Sequence, residues 1–248
     1  MLSTPALAFL AAVILGTSFL AGVFGMAGGM ILMGVLVYML PVPAAMVLHG
    51  VTMLAANGWR AVLWWRYADF RIVLRFSLGT VAALAVFSMI MIVPSRAVVF
   101  ITLGLVPFIA LAIPVQHAPR IDRRGAAEFC GFTGTCLQLL SGVSGPLLDS
   151  FFVRMPVDRR VIVATKAACQ TWSHLVKLIY FGGIVATAES IVGWDLIAVG
   201  ILFAVIGTTL ARTLLDRLTD TQFRYWQRRI VLGIGTVYIV QGAYLVSS

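Results

Sequence analysis

Charged side chains are scarce in this sequence: 11% of its 248 residues are Asp, Glu, Lys or Arg, where a soluble domain carries about a quarter. So few charges leave too little polar surface to cover a water-facing globule of this size. The alternative solvent is lipid, in which a spanning helix needs about 20 apolar residues. Windows 5–21, 78–93, 97–114 and 191–211 approach that length and hold one charged residue between them, Asp195. With 61% hydrophobic residues, the chain reads as an all-α, polytopic membrane protein, with the lipid bilayer as its first partner.

Other absences narrow the reading. The apolar runs are continuous and show no period-two alternation, which excludes a transmembrane β-barrel. The three cysteines, Cys130, Cys136 and Cys169, have neither the number nor the spacing of a disulfide framework or a zinc site. The three histidines, His49, His117 and His174, show no paired metal-binding spacing. There is no nucleophile elbow and no phosphate-binding loop, so neither a metal, a cofactor nor ATP is expected. The first apolar run lacks a basic leader, so it is expected to be a retained helix rather than a cleaved signal. A net charge of +9 would suggest nucleic acid in a soluble protein. Here it is read as loop charge that orients the chain in the bilayer, and no nucleic-acid partner is expected.

What is present in excess, at two places, is helix-breaking residues inside apolar sequence. "GVFGMAGGM" occupies 22–30, and "SGVSGPLLD" occupies 141–149. Laying 26–53 over 141–168 without a gap aligns a small-residue cluster, an apolar stretch, Leu40-Pro41-Val42 against Met155-Pro156-Val157, and then a long helix. Downstream, Asp69 and Asp195 each sit where a further apolar run opens. The chain thus divides into a first repeat (1–115), a basic connecting loop (116–125) and a second repeat (126–248). The expected helices are 4–22, 29–40, 43–64, 70–93 and 96–114, then 126–141, 145–155, 158–181, 191–215 and 222–246.

The arms 29–40 and 145–155 are about 15–18 Å long as helix, half a bilayer. Each is either part of a broken span or the return arm of a re-entrant glycine hairpin. Fifteen of the eighteen basic residues lie at 60–75, 120–124, 154–160 or 212–229. If all four clusters share one side, the segment between 120 and 156 enters and returns, and only Arg96 is left outside. A hairpin and three crossings per half insert the two halves upside down, a recurring plan for secondary transporters. Parallel repeats with two fully crossing broken helices are the alternative.

Non-helical backbone at membrane depth is tolerated where it lines a wet cavity or is buried in protein. The breaks at Gly25, Gly28 and Gly29, and at Gly142 and Gly145, therefore mark a candidate internal site. Half-helix N-termini at about 29–31 and 145–148 would present free amides, which hold anions, and Ser141 and Ser144 add hydroxyls. Lys166, Cys169, Gln170 and Ser173 or His174 share one helical face. Lys166 is read as a substrate or pathway residue, with snorkelling to the headgroups as its alternative. Lys177, near the other end, is expected to snorkel. Asp149 either carries a coupling proton or forms a static ion pair with Lys166. His49 and Asn57 form a weaker stripe in the first half, and His49 is expected near the interface. Cys136 and Cys169 are candidates for contact with a sulfur-containing substrate.

The motifs "GMAGGMILMGVLVYMLPVPAA" (25–45) and "SGVSGPLLDSFFVRMPVDRR" (141–160), with "VATKAA" (163–168) and the degenerate "LHGVTM" (48–53), resemble the TauE/SafE sulfite-exporter family, also called toluene-sulfonate uptake permeases. The resemblance spans about 4–246 through the duplicated plan. The glycine runs are diluted by Met26, Ala27, Val143 and Ser144, and Lys166 stands where a small hydroxyl residue is usual. The resemblance implies a non-enzymatic secondary transporter of the bacterial cytoplasmic membrane, moving sulfite, a sulfonate or a related organosulfur anion. Its binding region would be the two glycine stretches and the helix starts after them. The alternatives are an integral membrane enzyme using Cys136, Cys169 and His174, or an anion channel. A homodimer is left open.

Overall fold

Helix ends fall where the chain's chemistry changes. The computed structural model describes residues 4–24, 26–187, 193–215 and 220–247. Among them are ten α-helices. In the first half these are α1 (Thr4–Phe24), α2 (Met26–Met39), α3 (Val42–Leu63), α4 (Phe70–Ile90) and α5 (Arg96–Ala112). In the second half they are α6 (Ala126–Ser141), α7 (Gly145–Phe152), α8 (Arg159–Thr187), α9 (Trp194–Leu215) and α10 (Asp220–Ser247). Asp69 caps α4 by accepting from the amides of Arg71 at 3.0 Å and Ile72 at 3.2 Å, which satisfies donors that a helix start leaves bare. Ser95 caps α5 in the same way through the Val98 amide at 3.3 Å.

Two expected boundaries shift. The arm expected from 29 begins at Met26, so Gly28 and Gly29 lie inside the first turn of α2. Gly25, expected in this break, lies outside the described residues. In the second half the arm is shorter than expected, eight residues from Gly145 to Phe152. The break before it turns on Gly142, whose φ of 82° closes α6 through a bond from its amide to Gln138 O at 2.8 Å. That left-handed backbone favours glycine. Pro146 sits in the first turn of α7, where its missing N–H leaves no bond unmade.

Lipid tails are as apolar as leucine, so helices in a bilayer associate through close fit at small residues. α4 crosses α6 where Gly79 and Gly131 face the partner backbone: a Cβ on Gly79 would strike Glu128 O, and one on Gly131 would strike Phe76 O. α1 crosses α9 in the same manner, with Gly22 against Ala211 and Gly207 against Leu15 O. α5 and α10 meet at Gly104 and Gly235. The central pair is α3 against α8. Among the described residues, four helices are long and apolar enough by composition to cross a membrane: α1, α4, most of α9 and most of α10. α3 and α8 are not among them, because they carry the polar residues that face each other at the centre.

Hydrogen bonds tie the helix ends into two faces. The Ile121 amide donates to Phe151 O at 3.1 Å, and Arg154 Nη1 donates to Gln116 O at 2.7 Å. Arg75 Nη2 donates to Arg123 O at 2.7 Å, and the Arg160 guanidinium lies over the Tyr67 ring. The basic loops around 67–75, 116–124 and 151–160 thus gather at one end. At the other end Tyr180 Oη donates to Ile92 O at 2.7 Å, and Arg96 Nη2 donates to Leu40 O at 3.3 Å.

Candidate functional site

The polar residues of α3 recur at helical spacing. His49, Met53, Ala56, Asn57 and Arg60 fall on one stripe and line a cavity of about 30 Å³. A water needs about 10–15 Å³ on this measure, so the space is that of about two waters. Its other walls are Gln170 and His174 of α8, Val143, Ser144 and Gly145 at the α6–α7 break, Gly29 in the first turn of α2, and Ala21 near the end of α1. From His49 to Arg60 the chamber follows α3 for about 16 Å of helix rise.

Several of the lining residues carry N–H donors. Arg60 Nη2 donates to Ala21 O at 3.2 Å, leaving its remaining N–H groups for the chamber. Asn57 Nδ2 bonds back to Met53 O at 2.9 Å. Ser144 Oγ donates to Gln138 Oε1 at 2.7 Å, and Gln138 Nε2 donates to His174 Nδ1 at 3.1 Å. This relay makes Nδ1 the acceptor of a neutral His174, so its proton sits on Nε2, at the edge of a buried ring that lines the chamber. The first turns of α2 and α7 reach the chamber through Gly29 and Gly145, and each adds the partial positive charge of a helix N-terminus. Among the described residues, no acidic side chain lines the cavity. The donors suit a small anion with several oxygen acceptors, for which the walls must part beyond the present two-water space.

A second layer lies behind His49. Its Nε2 donates to Gly29 O at 2.9 Å, so its Nδ1 must accept, and Lys177 Nζ donates to it at 2.7 Å. Lys177 Nζ also donates to Gly142 O at 3.2 Å. The His49 and His174 rings stand 5.6 Å apart. Lys177 is fully buried, which corrects the snorkelling expectation. α3 and the α6–α7 break close over its amino end, so it has no path to headgroups. His49 is likewise buried at 1% exposure instead of interfacial, because α2 folds back across it.

Of the residues expected at the site, Gly29, His49, Asn57, Ser144, Gly145, Gln170 and His174 meet at the chamber. Ser141 and Gly142 shape the break without lining it: Ser141 Oγ donates to Val143 O at 2.8 Å. Gly28 faces α1, where a Cβ would strike Thr17 O, so it serves close packing. Lys166 and Asp149 form an ion pair with each other, each about a quarter exposed, and neither lines the chamber. Cys169 is buried in an apolar cluster with Phe76, Cys130 and Phe152, and Cys136 packs on the main core. None of the three cysteines lines the cavity. Sequence reasoning missed Arg60, counted as an orienting loop charge. Its signal was the spacing, three residues beyond Asn57 and eleven beyond His49. Gln138, one turn before the Gly142 break, was also missed.

The family model described as Sulfite exporter TauE/SafE matches residues 8–241. No curated protein and no solved structure matches the chain. The chain belongs to the TauE/SafE sulfite exporter family, a family of membrane transporters.

Proposed function

We propose that this TauE/SafE family member is a secondary carrier for a small sulfur-containing oxyanion, sulfite or a sulfonate, in the bacterial cytoplasmic membrane. The observation that carries the reading is the buried chamber itself. It joins Arg60, the His174 Nε2–H, Gln170 and the first turns of α2 and α7, and none of the described residues on its walls is acidic. Anions bind at such helix starts because the bare amides and the dipole act together. Arg60 adds a full charge, and its planar fork suits oxygens carried on one sulfur.

The carrier would be built from two oppositely inserted repeats, 1–115 and 126–248, joined by the loop 116–125. Exchanging the halves, α1 for α6 through α5 for α10, turns the α1–α9 pair into α6–α4 and leaves α3–α8 and α5–α10 unchanged. Each of these pairs is among the most extensive helix contacts in the fold. The glycine crossings of α1 with α9 and of α6 with α4 correspond as well. The re-entrant reading of α6 and α7 is supported by the bonds from Ile121 to Phe151 and from Arg154 to Gln116, which bring its beginning and end together. Alternating access would then be rocking of one repeat against the other around the chamber.

The test is counterflow in proteoliposomes loaded in turn with unlabelled sulfite, sulfoacetate, taurine or thiosulfate. Uptake of the labelled counterpart against no net gradient, saturable and strongest for the anions, is the expected result. Failure of every sulfur anion to exchange overturns the reading. A conductance without saturable exchange would replace it with a channel.

A further inference from the structure

Lysine is among the side chains least often buried completely, and Lys177 is completely buried. Ion pairs join Arg75 to Glu128, Arg120 to Asp122 and Lys166 to Asp149, and among the described residues Lys177 has no carboxylate partner. Its Nζ makes two hydrogen bonds, and it donates in both. Gly142 O at 3.2 Å can only accept. His49 Nδ1 at 2.7 Å accepts in the neutral ring, whose other nitrogen is the donor to Gly29 O. Two donated bonds use both N–H groups of a neutral amine and leave its lone pair free. An ammonium has three N–H groups, and the third would be left bare at a site closed to water. Burying an unpaired charge costs far more than burying an amine.

The groups around Lys177 do not supply a negative charge. α3 contributes the His49 imidazole. Lys177's own helix contributes His174, one turn earlier, and the α6–α7 break contributes the Gly142 carbonyl. Each is neutral as hydrogen-bonded here. A proton at Nζ therefore lacks a counter-charge until one enters the chamber on the far side of His49.

We infer that Lys177 is the site at which a proton is coupled to the anion: its amine takes up one proton when an anion occupies the chamber, and the two cross together as a neutral pair. The inference rests on the transport reading above and adds its coupling ion. The bookkeeping closes at one proton gained by the Nζ lone pair per single negative charge bound. The same amine also senses both halves. It holds Gly142 O at the second break directly and Gly29 O in the first arm through His49, so its charge acts on both sides of the chamber at once. The Lys166–Asp149 pair cannot take this role unaided, because each of its members already has an opposite charge beside it.

Proteoliposomes are given an outside pH one unit below the inside, with labelled methanesulfonate, which has no volatile acid form, and labelled sulfite, with the leak of protein-free vesicles subtracted. One proton per anion predicts about tenfold accumulation of methanesulfonate per pH unit, and about one proton per anion arriving at an entrapped pH dye. Lys177→Met is expected to bring the accumulation ratio for methanesulfonate, which carries no titrating proton of its own, down to about one, at whatever rate of exchange it retains. If methanesulfonate exchanges in the wild type but does not respond to the pH gradient, or if Lys177→Met keeps that response, the inference is overturned and the carrier stands. If the wild type exchanges neither these anions nor those of the counterflow screen, the carrier reading itself falls. Should Lys177→Met not run as a single species in detergent, Lys177→Gln is read in the same assay against the same outcomes, and absence of dye acidification with methanesulfonate in the wild type overturns the inference by itself.

Discussion

Arg60 and Lys177 show how a single side chain's role depends on what folds over it. Both occupy positions where a sequence suggests a headgroup contact, Arg60 in the last turn of α3 and Lys177 toward the later part of α8. The Arg60 guanidinium instead reaches Ala21 O and the chamber. A hydrogen bond to a charged partner is worth about 1.5–3 kcal/mol. Arg60→Ala is therefore expected to raise the KM for anion uptake by about 10- to 100-fold, with Arg60→Lys recovering part of the loss because it keeps the charge but not the fork. An unchanged KM in Arg60→Ala would remove Arg60 from the binding site. Asp149 and Lys166 are expected to behave as a unit. Removing one partner of a buried ion pair costs about 3–5 kcal/mol, and partial exposure here brings that to about 1–3 kcal/mol. Asp149→Leu and Lys166→Met should each lower the melting temperature in detergent, and the double substitution should cost less than their sum. Strict additivity would mean that the pair is not coupled. His49, Asn57, Gln170 and His174 were legible in the sequence because the helical repeat places them on stripes. The burial of Lys177 was not, since a helix's own sequence does not record that α3 and the α6–α7 break close over it.

The helices themselves were legible because glycine, proline and isolated charges punctuate the apolar runs. Asp69, Ser95, Gly142 and Pro146 mark starts and stops through bonds that can be named. The first break was placed late because Gly28 and Gly29 look like breakers in sequence. In the structure Gly28 is helical, and its missing side chain lets α2 lie against the α1 backbone at Thr17 and Ala21. A small residue that permits close approach and a small residue that ends a helix are the same letter, and only the neighbour distinguishes them. The distinction gives an element-scale prediction. Gly131→Leu would drive a side chain into Phe76 O at the α4–α6 crossing, whereas Gly16 has nothing within 4 Å of a Cβ. Gly131→Leu is expected to cost several kcal/mol, on the order of 3, through overpacking and backbone displacement, and Gly16→Leu close to none. Melting of the two variants in the same detergent checks this. Equal melting temperatures would mean that the crossing relaxes freely.

At the scale of the whole molecule, the basic loops gather at one end and Arg96 lies at the other, tied to Leu40 O. Charge counting alone had suggested this sidedness, since Lys and Arg favour the cytoplasmic side. The pairing of α1 with α9 and of α4 with α6 had no counterpart in the sequence argument, because helix partners in lipid are chosen by glycine fit across residues far apart in the chain. Both lines lead to one consequence that can be measured in intact cells. In a background with Cys130, Cys136 and Cys169 replaced by alanine, a single cysteine is introduced as Arg123→Cys, Val157→Cys or Val93→Cys, all at exposed positions. If α6 and α7 form a re-entrant hairpin, positions 123 and 157 lie on one side, and a membrane-impermeant maleimide labels both only after lysis. Position 93, at the end of α4 beside the bond from Tyr180 to Ile92 O, is labelled in intact cells. A fully crossing broken helix would instead put 123 and 157 on opposite sides, with one of them labelled before lysis. That pattern would end the inverted arrangement and also the meeting of two half-helix starts from opposite faces, on which the anion chamber depends.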